Sequence, residues 1–450
     1  MEHEVGHKAV PESPGVELAS VLTARRGELS DSAFPTEADV IVVGAGPAGS
    51  STAAFLAQRG LDVVLLEKSH FPREKVCGDG LTPRAVRMLT RLGINTSQQA
   101  GWQHNKGLRV YGSGAQGFEL PWPQLADYPD YGLTCTRARL DDLLAGRAMA
   151  LGAHLVTGAT VSAPLLVGER IVGVRTADGH SVRAPIVVAA DGNSARLAIS
   201  MGRQRREDRP LGVAVRSYYT SPRHDDEWME SWLELWDGEP GRSHQLPGYG
   251  WVFPMGDGTC NVGLGMLNSS PAFGHTDYRG LMRRWLATTP GEWQFDEDHR
   301  TAPITGAALP MAFNRQPAYA DGLLLVGDSG GAINPFNGEG ISYAMECGEL
   351  AADAIAEAHA RGITTRASER ALAGYPTALA ARFGGYYRLG TIFVKLIGNP
   401  RIMHLCTTYG LPHRTLMVFV NKLLANLTDR HRGDAMDHVI NGLSRVVPSV

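Results

Sequence analysis

The 450-residue sequence predicts an α/β fold: a parallel sheet built from strand–helix–strand units, an antiparallel sheet inserted into it, and a helical extension at the C-terminal end. Three observations predict it. Residues 40–43 (Val-Ile-Val-Val) are apolar and β-branched without polar alternation, the pattern of a strand buried on both faces. Residues 323–326 (Leu-Leu-Leu-Val) repeat that pattern far along the chain, again ahead of a Gly-rich turn and a helical period. Between them, residues 204–310 show few helical periods, many Gly and Pro breaks and most of the tryptophans, the texture of an antiparallel sheet.

Gly44, Gly46 and Gly49 follow the first strand and open a helix. Their spacing gives a tight turn, close backbone approach to a pyrophosphate and close helix-on-sheet packing, and the helix N-terminus favours the phosphate charge. A second strand, residues 62–66, ends at Glu67, about 20 residues on, where a carboxylate can accept hydrogen bonds from an adenosine ribose. A lone GxGxxG is weak; one that completes a βαβ unit with its ribose carboxylate in place predicts a Rossmann-like dinucleotide site.

Composition bounds the rest. With 43% hydrophobic and 20% charged residues and a net charge of −3, the chain reads as an ordinary globular protein with no reason to bind nucleic acid. Its five cysteines form no C-x-x-C pair, which suggests neither a disulfide framework nor a metal site and points to a reducing compartment. No secretory signal and no run of about 18 apolar residues is present, so the expected location is the cytoplasm, with the inner face of the cell membrane as its alternative.

In chain order, residues 1–37 lack periodicity and predict a mobile tail. The first cofactor-binding part is expected over 38–106, including a turn-rich loop at 70–80 and a helix over 83–92 with Pro83 in its first turn. Residues 107–136 predict short strands of the inserted sheet, and 137–203 return to the cofactor domain with a helix to Leu151. There follow a meander over 156–161, 171–175 and 181–183 and a buried strand over 186–190. That strand stops at Asp191-Gly192, and open α/β sheets bind ligands at the carboxyl ends of their strands.

The rest of the inserted domain is expected over 204–310. Trp228, Trp232 and Trp236 fit a helix or a strand equally well. In Pro247–Pro254, Tyr249, Trp251 and Phe253 alternate, so one face of a strand carries three rings, either as sheet packing or as an aromatic wall over an apolar ligand. The third cofactor part, 311–363, contains the strand ending at Gly327-Asp328, then Pro335, Gly338, Gly340 and a helix opened by Ile341. Residues 364–450 predict a helical segment with apolar clusters interleaved with Arg388, Lys395, Arg401, Arg414 and Lys422, which suits either an amphipathic membrane surface or a cover packed on the domains.

The two-ended arrangement resembles the FAD-binding domain of the aromatic hydroxylase type. There the late Gly-Asp reaches the ribityl or pyrophosphate region, and the Pro-x-x-Gly-x-Gly turn presents a helix N-terminus, worth about half a positive charge, to the flavin ring. Three stretches together resemble the geranylgeranyl reductase family: residues 75–83 (Lys-Val-Cys-Gly-Asp-Gly-Leu-Thr-Pro), 247–254, and 327–340 (Gly-Asp-Ser-Gly-Gly-Ala-Ile-Asn-Pro-Phe-Asn-Gly-Glu-Gly). The wording of the first, and the closing Asn426–Asp429, are most similar to the actinobacterial branch that acts on the menaquinone side chain. Ser329 departs from the Ala of many relatives.

The resemblance implies FAD and reduction of carbon–carbon double bonds in a polyprenyl lipid. It implies that Arg139 holds the FAD phosphates or ribose, and that Ala48, Glu67, Asp191 and Asp328 are flavin neighbours. Lys68, Gly78, Gly80 and Gly192 complete the expected cofactor set. An isolated alkene has no carbonyl to polarise it, so hydride delivery must be matched by a proton to the other carbon in a site that excludes water. Cys77 is the expected proton donor or gate, its alternative being a small packing residue. Tyr249 and Trp251 are the expected cation–π partners of developing positive charge, and Phe253 and Pro254 the expected substrate-pocket residues. No second nucleotide fold is present, which leaves NAD(P)H, a ferredoxin and a quinol as candidate electron donors. The rivals are a flavin monooxygenase or halogenase on the same fold, whose W-x-W-x-I-P signature is missing, and a prenyl-lipid escort protein without flavin, against which the intact glycines argue.

Overall fold

Val40–Val43 lies inside a parallel sheet in the computed structural model, which describes residues 34–112, 115–429 and 432–446. Among these residues the sheet has six strands in the order Tyr319–Ala320, Leu323–Leu325, Ile186–Ala189, Val40–Val43, Val63–Leu66 and His154–Val156. Neighbours pair in parallel except the first two, with Val40 opposite Ile186 on one side and Val63 on the other. Both faces are covered, which is why these strands show no polar alternation: Val40, Ile41 and Val42 are fully buried.

Two helices cover one another and the sheet, Pro47–Gln58 after the first glycine turn and Ile341–Ala360 after the last. Small residues let them touch. A Cβ on Gly348 would stand 3.0 Å from the Ala48 carbonyl oxygen, and one on Gly327 would stand 2.8 Å from the Ala48 Cβ. Units distant in sequence are thus clasped backbone to backbone.

The inserted sheet has seven strands among the described residues, ordered Thr305–Pro310, Leu211–Thr220, Thr259–Leu267, Gly248–Pro254, Trp228–Trp232, Gly107–Gly112 and Ala115–Pro121. The ambiguous tryptophan stretch is therefore a strand, antiparallel to Gly248–Pro254 and parallel to Gly107–Gly112.

Three expectations need correction. The first strand of the small meander is Val161–Val167; His154–Val156 instead forms the outer strand of the parallel sheet, and Gly158, at φ +75°, turns the chain between them. The tail expectation over 1–33 lies outside the described residues, but Thr36 and Ala38 already exchange backbone hydrogen bonds with Arg183, so ordered pairing begins before the first strand. Lys422, grouped above with the surface cations, is buried and ion-paired to Asp434 and Asp437.

From residue 385 onward the C-terminal segment forms the α-helices Gly385–Ile397, Pro400–Leu405, Arg414–Leu424 and Ala435–Val446. It is a cover. Gly390 lets the first of these helices sit on the late turn, because a Cβ there would meet Pro335 Cγ at 2.4 Å, and the Phe336 ring packs, tilted, against Tyr386 and Phe393 at centroid distances of 4.9 and 5.2 Å. Among the described residues no helix is long and apolar enough to cross a membrane.

Candidate active site

One cavity of about 1140 Å³ runs from the carboxyl ends of the parallel strands to the C-terminal helices. Gly46 and Asp328, from glycine turns far apart in the chain, both line it, and so do Cys77, Tyr249, Trp251 and Phe253.

The glycine-turn end is shaped by backbone. Gly44 has φ +100° and a Cβ there would fall 2.5 Å from the Ala190 carbonyl oxygen; a Cβ on Gly49 would fall 1.8 Å from that of Gly44. Gly49 therefore serves the helix–strand contact and does not itself line the cavity. The Pro47–Gln58 helix starts at Gly46 with no side-chain cap, so its first N–H groups are left for an anion. Glu67 accepts from the backbone N–H of Ala45 at 2.9 Å and of Ser69 at 3.0 Å, and pairs with Arg73 at 3.3 Å, bracing the turn. Lys68 lies exposed on the rim.

Arg139 does not face this space. Its guanidinium donates to the carbonyls of Gly101 and Ala100 and lies over the Trp102 ring, outside the cavity lining. Residues two apart on a helix point about 200° apart, so only one of Arg137 and Arg139 can face inward. Arg137 does: it is buried, lines the cavity and binds Asp141 in a fork at 2.7 and 2.8 Å. A Cβ on Gly46 would stand 3.7 Å from an Arg73 nitrogen and 3.8 Å from an Arg137 nitrogen, so two guanidinium groups overlook the uncapped helix start. That donor set fits a pyrophosphate.

At the late turn, Asp191 accepts from Ser329 Oγ at 3.0 Å and from the Leu197 N–H at 3.1 Å. The departure at Ser329 thus joins the Asp191-Gly192 turn to the Gly327-Asp328 turn. Burial raises the Asp328 carboxyl, and the nearby Lys75 and Arg137 charges oppose that rise. A Cβ on Gly340 would lie 3.4 Å from Asp328 Oδ1, and the Ile341–Ala360 helix also starts without a side-chain cap. Gly192, Pro335, Gly338 and Ile341 line the same space.

The loop carrying Cys77 lies against the aromatic strand. A Cβ on Gly80 would reach Phe253 Cε2 at 2.9 Å, and one on Gly78 would reach it at 3.3 Å and the Trp251 indole nitrogen at 3.4 Å, so these glycines admit the rings. The rings of Tyr249, Trp251 and Phe253 follow one another at 6.1 Å centroid spacings. Their polar atoms are satisfied inside the protein: Tyr249 OH donates to the Asn337 carbonyl at 2.7 Å, and the Trp251 indole donates to Asn261 Oδ1 at 2.9 Å. What they offer the cavity is ring surface. Pro254 is outside the lining, and its carbonyl accepts the Thr134 hydroxyl, so it ends the wall. Burial and the Asp79 carboxylate push the Cys77 thiol above its ordinary value.

Against this geometry the comparisons are specific. The FAD binding domain family matches residues 37–378. A menaquinone reductase of Mycobacterium tuberculosis is 35% identical over 415 residues, covering 91% of this chain and 97% of its own length. The chain belongs to the geranylgeranyl reductase family of FAD-dependent oxidoreductases. A digeranylgeranylglycerophospholipid reductase of Methanopyrus kandleri is 32% identical over 72% of this chain and 81% of its own. A solved geranylgeranyl bacteriochlorophyll reductase-like protein of Thermoplasma acidophilum shares the fold, with a TM-score of 0.72, 21% identity and coverage of 91% of this chain and all of that one. The enzyme's cofactor is FAD, and the aromatic hydroxylase-type fold is the one expected above.

Sequence reasoning missed part of the site. Arg137 was legible only as one of two arginines near a helix start, each with an aspartate on its own face, Asp141 at i+4 and Asp142 at i+3. Arg73 and Lys75 lay in a loop with no periodicity to orient them. The cavity's far wall escaped entirely: Leu405, Tyr409 and Leu416 of the C-terminal segment line it while remaining 55, 66 and 44% exposed, which places them at its mouth.

Proposed function

We propose that the enzyme saturates carbon–carbon double bonds of a polyprenyl chain, with the isoprenoid side chain of menaquinone as substrate. The observation that carries this reading is the continuity of one cavity from the glycine turns, past a wall of three rings, to a mouth rimmed by exposed hydrocarbon. The names of the relatives at 35 and 32% identity support the same substrate class.

When bound, FAD supplies the hydride. The chain supplies what an unactivated alkene lacks. Arg73, Arg137 and the two uncapped helix starts hold the cofactor's anionic groups. The Cys77 thiol, kept in its S–H form, gives a proton to the second carbon, and the faces of Trp251 and Tyr249 steady positive charge where water is excluded.

The C-terminal helices rest on the membrane surface in this reading. Ile392, Leu396, Leu405, Tyr409 and Leu416 are exposed, and so are Arg388, Lys395, Arg401 and Arg414, the composition of an interfacial patch for anionic lipid. A prenyl chain then passes from bilayer to cavity without crossing water. Mass spectrometry of quinones from a strain lacking the gene tests the function: the species with a saturated isoprene unit disappears and its precursor, lighter by two hydrogens, replaces it. An unchanged quinone pool overturns the proposal.

A further inference from the structure

Asp79 follows Cys77 by two residues and is fully buried, with a left-handed backbone at φ 63°. Its Oδ2 accepts the Tyr218 hydroxyl at 2.5 Å and the Asn261 amide at 2.8 Å, while its Oδ1 has no hydrogen-bond partner among the described residues. Asn261 also donates to the Cys77 carbonyl at 2.9 Å and accepts from Trp251, and the Asp79 N–H donates to the Cys77 sulfur at 3.3 Å. Thiol, carboxyl and aromatic wall therefore form one connected network lining the cavity.

The groups facing Asp79 come from every element packed on it. Tyr218 and Arg216 lie on one strand, Asn261 on the next and Arg137 on a helix, and the Cys135 N–H donates to the Asp79 carbonyl. Neither arginine is its dedicated partner, since Arg216 binds Glu74 and Arg137 binds Asp141. Burial outweighs the Tyr218 and Asn261 hydrogen bonds and both arginine charges, and pushes the carboxyl up to about 6.

We propose that Asp79 is a positioning residue for Cys77: its carboxylate, tied through Asn261 to the Cys77 carbonyl, holds the thiol in its protonated form until the thiol protonates the substrate carbon. This rests on the reading of Cys77 as proton donor. The balance is simple: S–H breaks as C–H forms, and the sulfur regains its proton from water.

The test is alkylation of Cys77 by iodoacetamide in the FAD-loaded protein, read by peptide mass spectrometry across pH. Asp79→Asn removes the negative charge beside the sulfur, so the thiol ionises more readily and alkylation near neutral pH speeds by about tenfold, the change for one pKa unit. Tyr218→Phe removes a donor to Oδ2 and moves the Asp79 titration upward. Alkylation then quickens only at neutral pH, where the carboxyl stays protonated, and returns to the wild-type rate in alkali. This second variant keeps the test open should Asp79→Asn fold poorly. Wild-type alkylation rates in Asp79→Asn with FAD still bound, or an acceleration in Tyr218→Phe that is the same at every pH, overturn the proposal. In turnover, Asp79→Asn lowers kcat and leaves KM unchanged. Failure of the donor reading is seen separately, as near-normal turnover of Cys77→Ser.

Discussion

Around Gly46 the cavity wall is backbone and fixed charge; around Tyr409 it is side chain and hydrocarbon. The first region meets its ligand with uncapped helix starts, paired arginines and glycines at which a Cβ would fall only 1.8 to 2.5 Å from a neighbouring carbonyl oxygen, so nearly every position is spoken for. The second is made by helices whose apolar residues are half in the cavity and half in solvent. A cofactor of fixed shape selects residue identity at fixed spacing, whereas a flexible apolar chain selects only a surface.

The largest effect comes from breaking the first region. Gly49→Val forces a side chain into the Gly44 carbonyl, so the purified protein loses its yellow colour and all activity while far-UV circular dichroism shows the sheets intact; a yellow, active variant contradicts the close-packed turn. Next is Cys77→Ala, which leaves flavin absorbance unchanged and lowers alkene reduction by about a hundredfold or more, the usual contribution of a positioned acid.

Arg137→Gln and Arg139→Gln sharpen the assignment within one helix. The former weakens FAD binding about tenfold, the loss of one charge-assisted hydrogen bond, and the latter leaves it unchanged in a fluorescence titration. Equal effects would return Arg139 to the cofactor. The smallest effect belongs to the second region: Leu405→Glu with Tyr409→Glu leaves FAD binding intact, reduces flotation with anionic vesicles and raises KM for a long prenyl chain by a few-fold. Unchanged flotation removes the membrane from the account.

This contrast explains what could be read in the chain. The turns at Gly44–Gly49 and Gly327–Gly340 were legible because their constraints are local and fall on backbone. Tyr249, Trp251 and Phe253 were legible because strand period two puts their rings on one face. Arg137 was missed because two arginines straddle the helix phase, and Asp79 because its partners Tyr218 and Asn261 lie on strands remote in sequence. The mouth at Leu405, Tyr409 and Leu416 was missed because an amphipathic helix looks the same whether its apolar face meets a protein, a bilayer or an open channel.

The central claim is that the two glycine turns and the hydrocarbon channel serve one reaction. It is tested most directly by an anaerobic single turnover in which the enzyme, loaded with chemically reduced FAD, is mixed with menaquinone bearing an unsaturated side chain. The account predicts flavin reoxidation in step with a gain of two hydrogens in the side chain, with no oxygen required. Reoxidation only on admitting oxygen, with an oxygen atom added to the substrate or none of it converted, would contradict it.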